Sequence, residues 1–208
     1  MSKISEYWDN VHLKYDYVCD GWLKNYLHLF KNDDLIVELG CGRAESSDYL
    51  FKNGFKNITA SDFSKEALRF VNQDTPYLKT MYLDISKGLP FNDDSINVII
   101  ADLSLHYFDM STTKYILNEI YRVLKNNGYL VARVNSVNDK FHKLNNAQEI
   151  EENFFYDGTL YKRFFKKEDL ESLLKGFKVC DIEEKKMNRY KKPKVLWEVC
   201  VKKIKSPS

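Results

Sequence analysis

Short apolar runs alternate with amphipathic segments along residues 35–135. The runs end at glycine, asparagine, aspartate or serine, as expected for buried strands. The segments between them repeat apolar residues every three or four positions, which predicts helices. Ser64 is the candidate N-cap of one helix. The predicted strands are LIVEL, NITAS, LKTMYL, SINVIIAD and YLVARV, and the predicted helices are ESSDYLFKNG, SKEALRFV and TKYILNEIYRVL, which NNG terminates.

The pattern changes on both sides of this region. Before it, GWLKNYLHLF places Trp22, Tyr26 and Phe30 on one predicted helical face. After it come an irregular or hairpin segment (EENFFYDGTLYKRFF), a short helix (KKEDLESLLKGF) and two long strands joined at NRYKKP. Strands that alternate with helices predict a parallel sheet, and the last two strands predict an antiparallel pair. We therefore predict an α/β fold over residues 1–208 as a single domain, with a doubly wound, seven-stranded, mostly parallel sheet and a C-terminal antiparallel hairpin.

Composition narrows the function classes. The chain has 208 residues, a net charge of +2 and 44% hydrophobic residues, so no strong field selects nucleic acid or a membrane surface. No apolar run is long enough to span a bilayer, and the N-terminus lacks the apolar stretch of a secretory signal. The cysteines are scattered and the histidines lack metal spacing. We expect a cytoplasmic protein with no metal and no nucleic-acid or membrane partner.

Three carboxylates follow three successive predicted strands. Glu38 precedes the glycine pair Gly40 and Gly42, Asp62 ends the second strand, and Asp84 ends the third. Strand ends in such a sheet form a ligand crevice, where an acid can face an ammonium, a ribose diol or an exocyclic amine. Each acid alone is more often a cap or a loop residue. Together they describe a ligand with an amine, a ribose and an adenine.

At these residues the sequence resembles the class I S-adenosylmethionine-dependent methyltransferases. ELGCGRA resembles the family's first motif, SDFS its ribose-binding turn, and EIYRVLKNNGYLVARV its helix-turn-strand pattern. The resemblance implies a Rossmann-like methyltransferase fold, with S-adenosyl-L-methionine as cofactor and S-adenosyl-L-homocysteine as product. It also implies a cofactor pocket lined by Glu38, Gly40, Cys41, Gly42, Asp62, Phe63, Asp84, Ile85, Asp102 and Leu103.

The methyl acceptor is expected above the end of the fourth strand. We predict an N-terminal helical cap or lid over residues 1–33 and an acceptor-side insertion over 136–165. His106 is a candidate base, although the cofactor activates its own methyl group, so a dedicated catalytic residue is not required. The lid and acceptor candidates are Tyr7, Trp8, Tyr15, His106, Tyr107, Tyr156 and Arg163.

Several functions remain open from the sequence. The leading one is methyl transfer to a small molecule, because YKRFFKKEDLESLLKGFKV resembles tellurite-resistance-type methyltransferases. The protein is expected to be a monomer or a homodimer. The N-terminal half also resembles a subgroup of protein-lysine methyltransferases. A non-catalytic, cofactor-binding regulatory domain is the alternative of another class. A nicotinamide site is disfavoured, because Glu45 would repel a pyrophosphate at the helix N-terminus. The basic run KKMNRYKKPK is interpreted as a solvated turn.

Overall fold

A computed structural model of the protein describes residues 3–14 and 19–204. Its α-helices are α1 (Lys3–Lys14), α2 (Glu45–Lys52), α3 (Lys65–Asp74), α4 (Met110–Val123) and α5 (Lys167–Leu173). Its strands are β1 (Ile36–Leu39), β2 (Ile58–Asp62), β3 (Lys79–Tyr82), β4 (Ile96–Asp102), β5 (Leu124–Asn135), β6 (Gln148–Glu151), β7 (Phe154–Tyr156), β8 (Tyr161–Arg163), β9 (Phe177–Met187) and β10 (Lys194–Lys203).

Seven strands form one sheet in the order β3-β2-β1-β4-β5-β10-β9. The strands β1 to β5 pair in parallel, whereas β10 is antiparallel to both β5 and β9. This topology confirms the predicted fold class. The strand order reverses between β1 and β4, so their carboxyl ends flank a crevice of the kind that binds ligands in doubly wound sheets.

Apolar residues cover the sheet on both faces. Successive residues of β1 point to opposite sides: Val37 packs in one cluster with Ile116 of α4, and Ile36 packs in the other with Leu50 of α2. This two-sided cover explains why the strands are apolar throughout. The predicted cap of α3 is also confirmed, since the Ser64 side chain accepts a hydrogen bond from the Ala67 amide.

The helix predicted before the first strand is not an α-helix. The chain instead makes two short 3₁₀ turns, Trp22–Asn25 and Leu27–Leu29. Tyr26 lies between them, is buried, and donates its hydroxyl to Glu198 at 3.0 Å. That anchor to β10, together with Trp22 packing 6.1 Å from the Tyr26 ring, holds the tight turns. The apolar side of the segment was predicted correctly, but the helix type was wrong.

The N-N-G stretch also behaves differently from the prediction. Helix α4 ends at Val123, β5 starts at Leu124, and residues 126–128 lie inside that strand. Asn127 has φ 68°, and the pairing register with β4 shifts between Ile96 and Val98. The stretch is therefore a bulge in a strand, not a connecting turn.

The segment after β5 forms a small antiparallel sheet, β6-β7-β8, so of the two alternatives open from the sequence, irregular or hairpin, it is the hairpin. Arg163 is buried and ties this sheet to the loop before α4: it donates to the Phe108 carbonyl at 3.1 Å and pairs with Glu151. Over residues 3–14 and 19–204, no helix combines the length and apolar character needed to cross a bilayer.

Candidate active site

The turn after β1 depends on two glycines. Gly40 has φ 69° and Gly42 has φ 55°, in the left-handed region that glycine adopts without strain. A Cβ atom on Gly40 would lie 2.5 Å from the Ser104 Cβ, and one on Gly42 would lie 3.1 Å from Cε1 of His12. Gly40 therefore has no room for a side chain, whereas a side chain at Gly42 would require the His12 ring to shift.

This turn borders a cavity of about 670 Å³ at the carboxyl ends of β1, β2 and β4. Cavities of about 300–1,000 Å³ are typical of small-molecule sites. The wall contains every residue that the sequence resemblance assigns to the cofactor pocket: Glu38, Gly40, Cys41, Gly42, Asp62, Phe63, Asp84, Ile85, Asp102 and Leu103. The structure brings these residues together, and their binding roles remain predictions.

Glu38 is a buried carboxyl at the end of β1. Its Oε2 accepts hydrogen bonds from the Ser47 amide at 3.0 Å and the Ser47 hydroxyl at 2.5 Å. Burial raises the pKa of Glu38 to about 8; Ser47 opposes the shift, and the charge of Asp102 adds to it. A cation in the cavity would favour the ionised form of this side chain.

Asp62 joins the glycine turn to the start of α3. Its two oxygens accept from the amides of Gly42 and Ser64, each at 2.8 Å. Burial raises its pKa even though these amides stabilise the charge. The carboxylate is therefore held in a fixed position at the cavity wall.

Asp84 is more exposed and lies at the other end of the wall. The Ser86 hydroxyl and amide donate to its Oδ1 at 2.6 and 3.1 Å. Partial burial opposes ionisation, but these bonds and Lys87 lower the pKa of Asp84. It is an anion at neutral pH.

Asp102, at the end of β4, belongs to a network of four charges, of which only Asp20 reaches the surface. Arg133 donates to both of its oxygens at 2.7 Å, and Arg189 donates to Oδ2 at 2.9 Å. Both arginines also contact Asp20, at 2.7 and 3.4 Å. Burial opposes ionisation of Asp102, but the two guanidinium groups hold its pKa below the ordinary value.

Helix α1 forms one side of the cavity. Ile4, Trp8 and His12 are spaced four residues apart, so they share one face of the helix, and all three line the wall. On another side of α1, Asp9 accepts from the Ser64 hydroxyl at 2.5 Å and the Glu66 amide at 3.3 Å. These bonds place α1 over the turn that holds Asp62. The predicted lid residue Tyr15 lies outside the described residues.

The other predicted lid and acceptor residues divide into two groups. Tyr107 lines the cavity, with the Trp8 ring edge-on at a centroid distance of 5.0 Å. Tyr7 supports Trp8 from behind, 5.3 Å from its ring, and is not in the wall. His106 is also absent from the wall and is fully buried. Burial, followed by the charges of Lys194 and Lys162, lowers the pKa of His106 well below its ordinary value.

Two residues of the small sheet stand behind the wall. Tyr156 stacks on Tyr161 at 4.2 Å and donates its hydroxyl to the Gly158 carbonyl. Arg163 holds Glu151, as described above. Their neighbours Tyr161 and Glu151 line the cavity instead.

The interpretation of the basic run as a solvated turn was wrong for two residues. Arg189 and Tyr190 line the cavity, and the Arg189 side chain is only 9% exposed. Sequence reasoning also missed Arg133 and Asp20. The one available signal was a tyrosine and an arginine at a hairpin tip on the ligand-binding edge, where exposed turns more often carry small polar residues.

Comparisons with known proteins agree with this geometry. Residues 37–132 match a family model described as a methyltransferase domain. A solved S-adenosylmethionine-dependent methyltransferase from Methanosarcina mazei superposes with a TM-score of 0.75 at 21% identity, over 92% of this chain and 100% of that chain.

Residues 37–132 form a methyltransferase domain, and the chain has the fold of the class I S-adenosylmethionine-dependent methyltransferases.

Curated relatives of the methyltransferase are larger proteins. The human mitochondrial arginine-hydroxylase NDUFAF5 is 27% identical over 49% of this chain and 28% of its own length. An eEF1A lysine and N-terminal methyltransferase homolog of Drosophila melanogaster is 27% identical over 61% of this chain and 21% of its own length. The chain spans less than a third of either relative.

The cavity of the methyltransferase fits the family's cofactor in charge and shape. A side chain at Gly40 would clash with Ser104 in the wall, so the turn stays narrow beside the cavity. We predict that the buried Glu38 pairs with the ammonium of the cofactor. When bound, S-adenosylmethionine supplies an electrophilic methyl group. We predict that Asp62 holds its ribose and Asp84 its adenine. Among the described residues, no histidine, cysteine or carboxylate cluster is arranged to hold a metal ion.

Removing the Asp62 carboxylate should weaken cofactor binding. We expect Asp62→Ala to raise the dissociation constant of S-adenosylhomocysteine about ten- to a hundredfold, the effect of losing roughly 1.5–3 kcal/mol of charge-assisted hydrogen bonding. Isothermal titration calorimetry measures it, with Asp74→Ala at the exposed end of α3 as the control. An unchanged constant in a folded variant would remove Asp62 from the ribose role.

Proposed function

We propose that this methyltransferase methylates a small molecule. The observation that carries the proposal is the concave shape of the cavity, which has α1 on one side and residues of β6, β7 and β8 on another. Arg189 and Tyr190 of the β9–β10 loop add a further part of the wall. A concave site of about 670 Å³ suits a cofactor with a small acceptor beside it better than a folded protein surface.

The acceptor end of the wall is mainly aromatic. Trp8 and Tyr107 meet edge to face, and Tyr161 stacks almost parallel to Phe154, at a centroid distance of 5.4 Å. Flat rings of this kind fix the orientation of an acceptor and exclude water, which are the protein's main contributions to such a transfer. Proton removal is not assigned to His106, because it is absent from the wall.

Methylation of a protein lysine is the second candidate. It is favoured by the sequence similarity to the Drosophila homolog, which extends over more of this chain than the family model does. A lysine side chain is itself narrow enough to enter the cavity. A small-molecule acceptor would lie wholly inside it, whereas a protein acceptor would also contact the surface around its mouth.

Two measurements test the proposal in order. We expect calorimetry to detect S-adenosylhomocysteine binding and no binding of NADH, because the acids of the cavity disfavour a pyrophosphate. Radiolabelled S-adenosylmethionine is then supplied with a panel of small thiols, amines, hydroxyls and oxyanions, and in parallel with cell-extract protein. Label in a small molecule is the expected result. Label only in protein would favour the lysine candidate, and binding with no transfer would favour the non-catalytic alternative.

Compartment and assembly remain parts of the proposal. A reducing, cytoplasmic location is supported by the four free cysteines, two of which are buried. A curated relative is described as mitochondrial, so a fluorescent fusion viewed beside a mitochondrial marker separates the two compartments. Light scattering distinguishes the monomer from the homodimer.

A further inference from the structure

One polar atom in the cavity wall has no partner within the described residues. The Arg189 side chain is more than nine-tenths buried, and its Nη2 contacts Asp102 and Asp20. Its Nε is buried and meets no acceptor among residues 3–14 and 19–204. A buried N–H without an acceptor is costly, because it has lost its hydrogen bond to water. In a ligand-binding wall, the missing acceptor is best supplied by the ligand.

The chemistry of the position selects a carboxylate. The Arg189 guanidinium is charged, so a carboxylate would accept a stronger, charge-assisted hydrogen bond from Nε than a neutral oxygen would. The charge network at this end consists of two arginines and two aspartates, so the network itself is neutral. Glu45 is the acid that opposes an incoming anion, and burial already raises its pKa to about 7 despite the nearby charge of Arg189.

The position of Arg189 also indicates which molecule carries the carboxylate. Arg189 donates to Asp102 near the end of β4. Glu38 of the neighbouring strand β1 pairs with Ile100 of β4, two residues before Asp102. The residue expected to meet an ammonium and the residue with the unpartnered N–H are thus both neighbours of Asp102. An α-amino acid carries an ammonium and a carboxylate on one carbon, so its two charges match this pair of partners.

We propose that Arg189 binds a ligand carboxylate through Nε, and that this carboxylate belongs to the amino-acid end of S-adenosylmethionine. The inference rests on the proposed cofactor binding. It assigns cofactor selectivity to the β9–β10 loop, which is far in sequence from the glycine turn. An acidic acceptor is the other possible source of the same group.

The test compares ligands with and without the carboxylate. Calorimetry measures S-adenosylmethionine and decarboxylated S-adenosylmethionine against the parent protein, Arg189→Met, Arg189→Lys and the control Lys191→Met. Lys191 is an exposed residue of the same loop and loses the same charge. A second arm saturates the proteins with S-adenosylhomocysteine and titrates benzoate and benzamide. Melting curves confirm that each variant is folded at the titration temperature.

We expect Arg189→Met to weaken S-adenosylmethionine about ten- to a hundredfold and to leave the decarboxylated ligand within about twofold. Arg189→Lys should recover only part of the loss, because lysine keeps the charge but has no N–H at the position of Nε. Selective loss of benzoate would instead place the carboxylate on the acceptor. Equal losses for all ligands, or no loss for any, would overturn the inference. Failure of the parent protein to bind either adenosyl ligand would count against the proposed function itself.

Discussion

Replacing Arg133 by methionine should lower the melting temperature by about 6–20 °C. The guanidinium is 2% exposed and lies between Asp102 and Asp20, at 2.7 Å from each. Breaking a buried ion pair typically costs about 3–5 kcal/mol, because the remaining charges stay buried. In a domain of this size, each kcal/mol corresponds to roughly 2–4 °C. Differential scanning calorimetry measures the shift.

Two further variants show that the charge network causes the shift. Arg69→Met removes a half-exposed arginine that pairs with Glu66 at 2.8 Å, and it should change the melting temperature little. Adding Asp102→Asn to Arg133→Met should recover part of the loss, because fewer uncompensated charges remain buried. A shift of under 2 °C for Arg133→Met would contradict a stabilising role of Arg133 in this network.

Replacing Glu38 by glutamine should stabilise the ligand-free protein at pH 8 and leave it nearly unchanged at pH 4.5. The folded-state pKa of Glu38 is about 8, whereas an unfolded carboxyl titrates near 4.3. Between these values the unfolded chain loses the proton and the folded chain keeps it, so stability falls as pH rises. The expected gain at pH 8 is roughly 3–5 kcal/mol.

Glutamine is a close match for the protonated side chain, since its amide oxygen can accept both hydrogen bonds from Ser47. Melting curves of the parent and Glu38→Gln from pH 4.5 to 8 measure the difference, with Glu66→Gln on α3 as the control. Affinity for S-adenosylhomocysteine should fall in the same variant, because the carboxylate partner of the ammonium is gone. Parallel pH profiles for the parent and Glu38→Gln would show that Glu38 does not keep its proton.

The central strands were predictable from the sequence, because their apolar residues follow a strict pattern. The apolar runs of β1, β2 and β4 are covered on both faces, so burial alone determines their type. Glu38 lies near the end of β1, Asp62 ends β2 and Asp84 follows β3. Parallel topology places these three acids at one edge of the sheet. Their meeting in one cavity therefore follows from the strand assignment.

The remaining walls depend on contacts between distant residues, which no local pattern encodes. Arg133 reads as an ordinary strand residue until Asp20 and Asp102 are brought beside it. Arg189 looks like a surface charge in a basic run, because the bend of the hairpin over the sheet edge is set by tertiary packing. Tyr26 was assigned to a helix because apolar spacing does not distinguish an α-helix from successive 3₁₀ turns of this length.

The part of the cavity wall built by the strand ends and the part built by the outer elements come from separate stretches of the chain. The family model ends at residue 132 and starts at residue 37, whereas α1, the β6–β8 sheet and the β9–β10 loop all lie outside that range. An insertion or exchange in these outer stretches can therefore alter one side of the cavity without disturbing the glycine turn. Lineages that share the central motifs are free to diverge in their substrates, and similarity confined to those motifs is a poor guide to what a given member modifies.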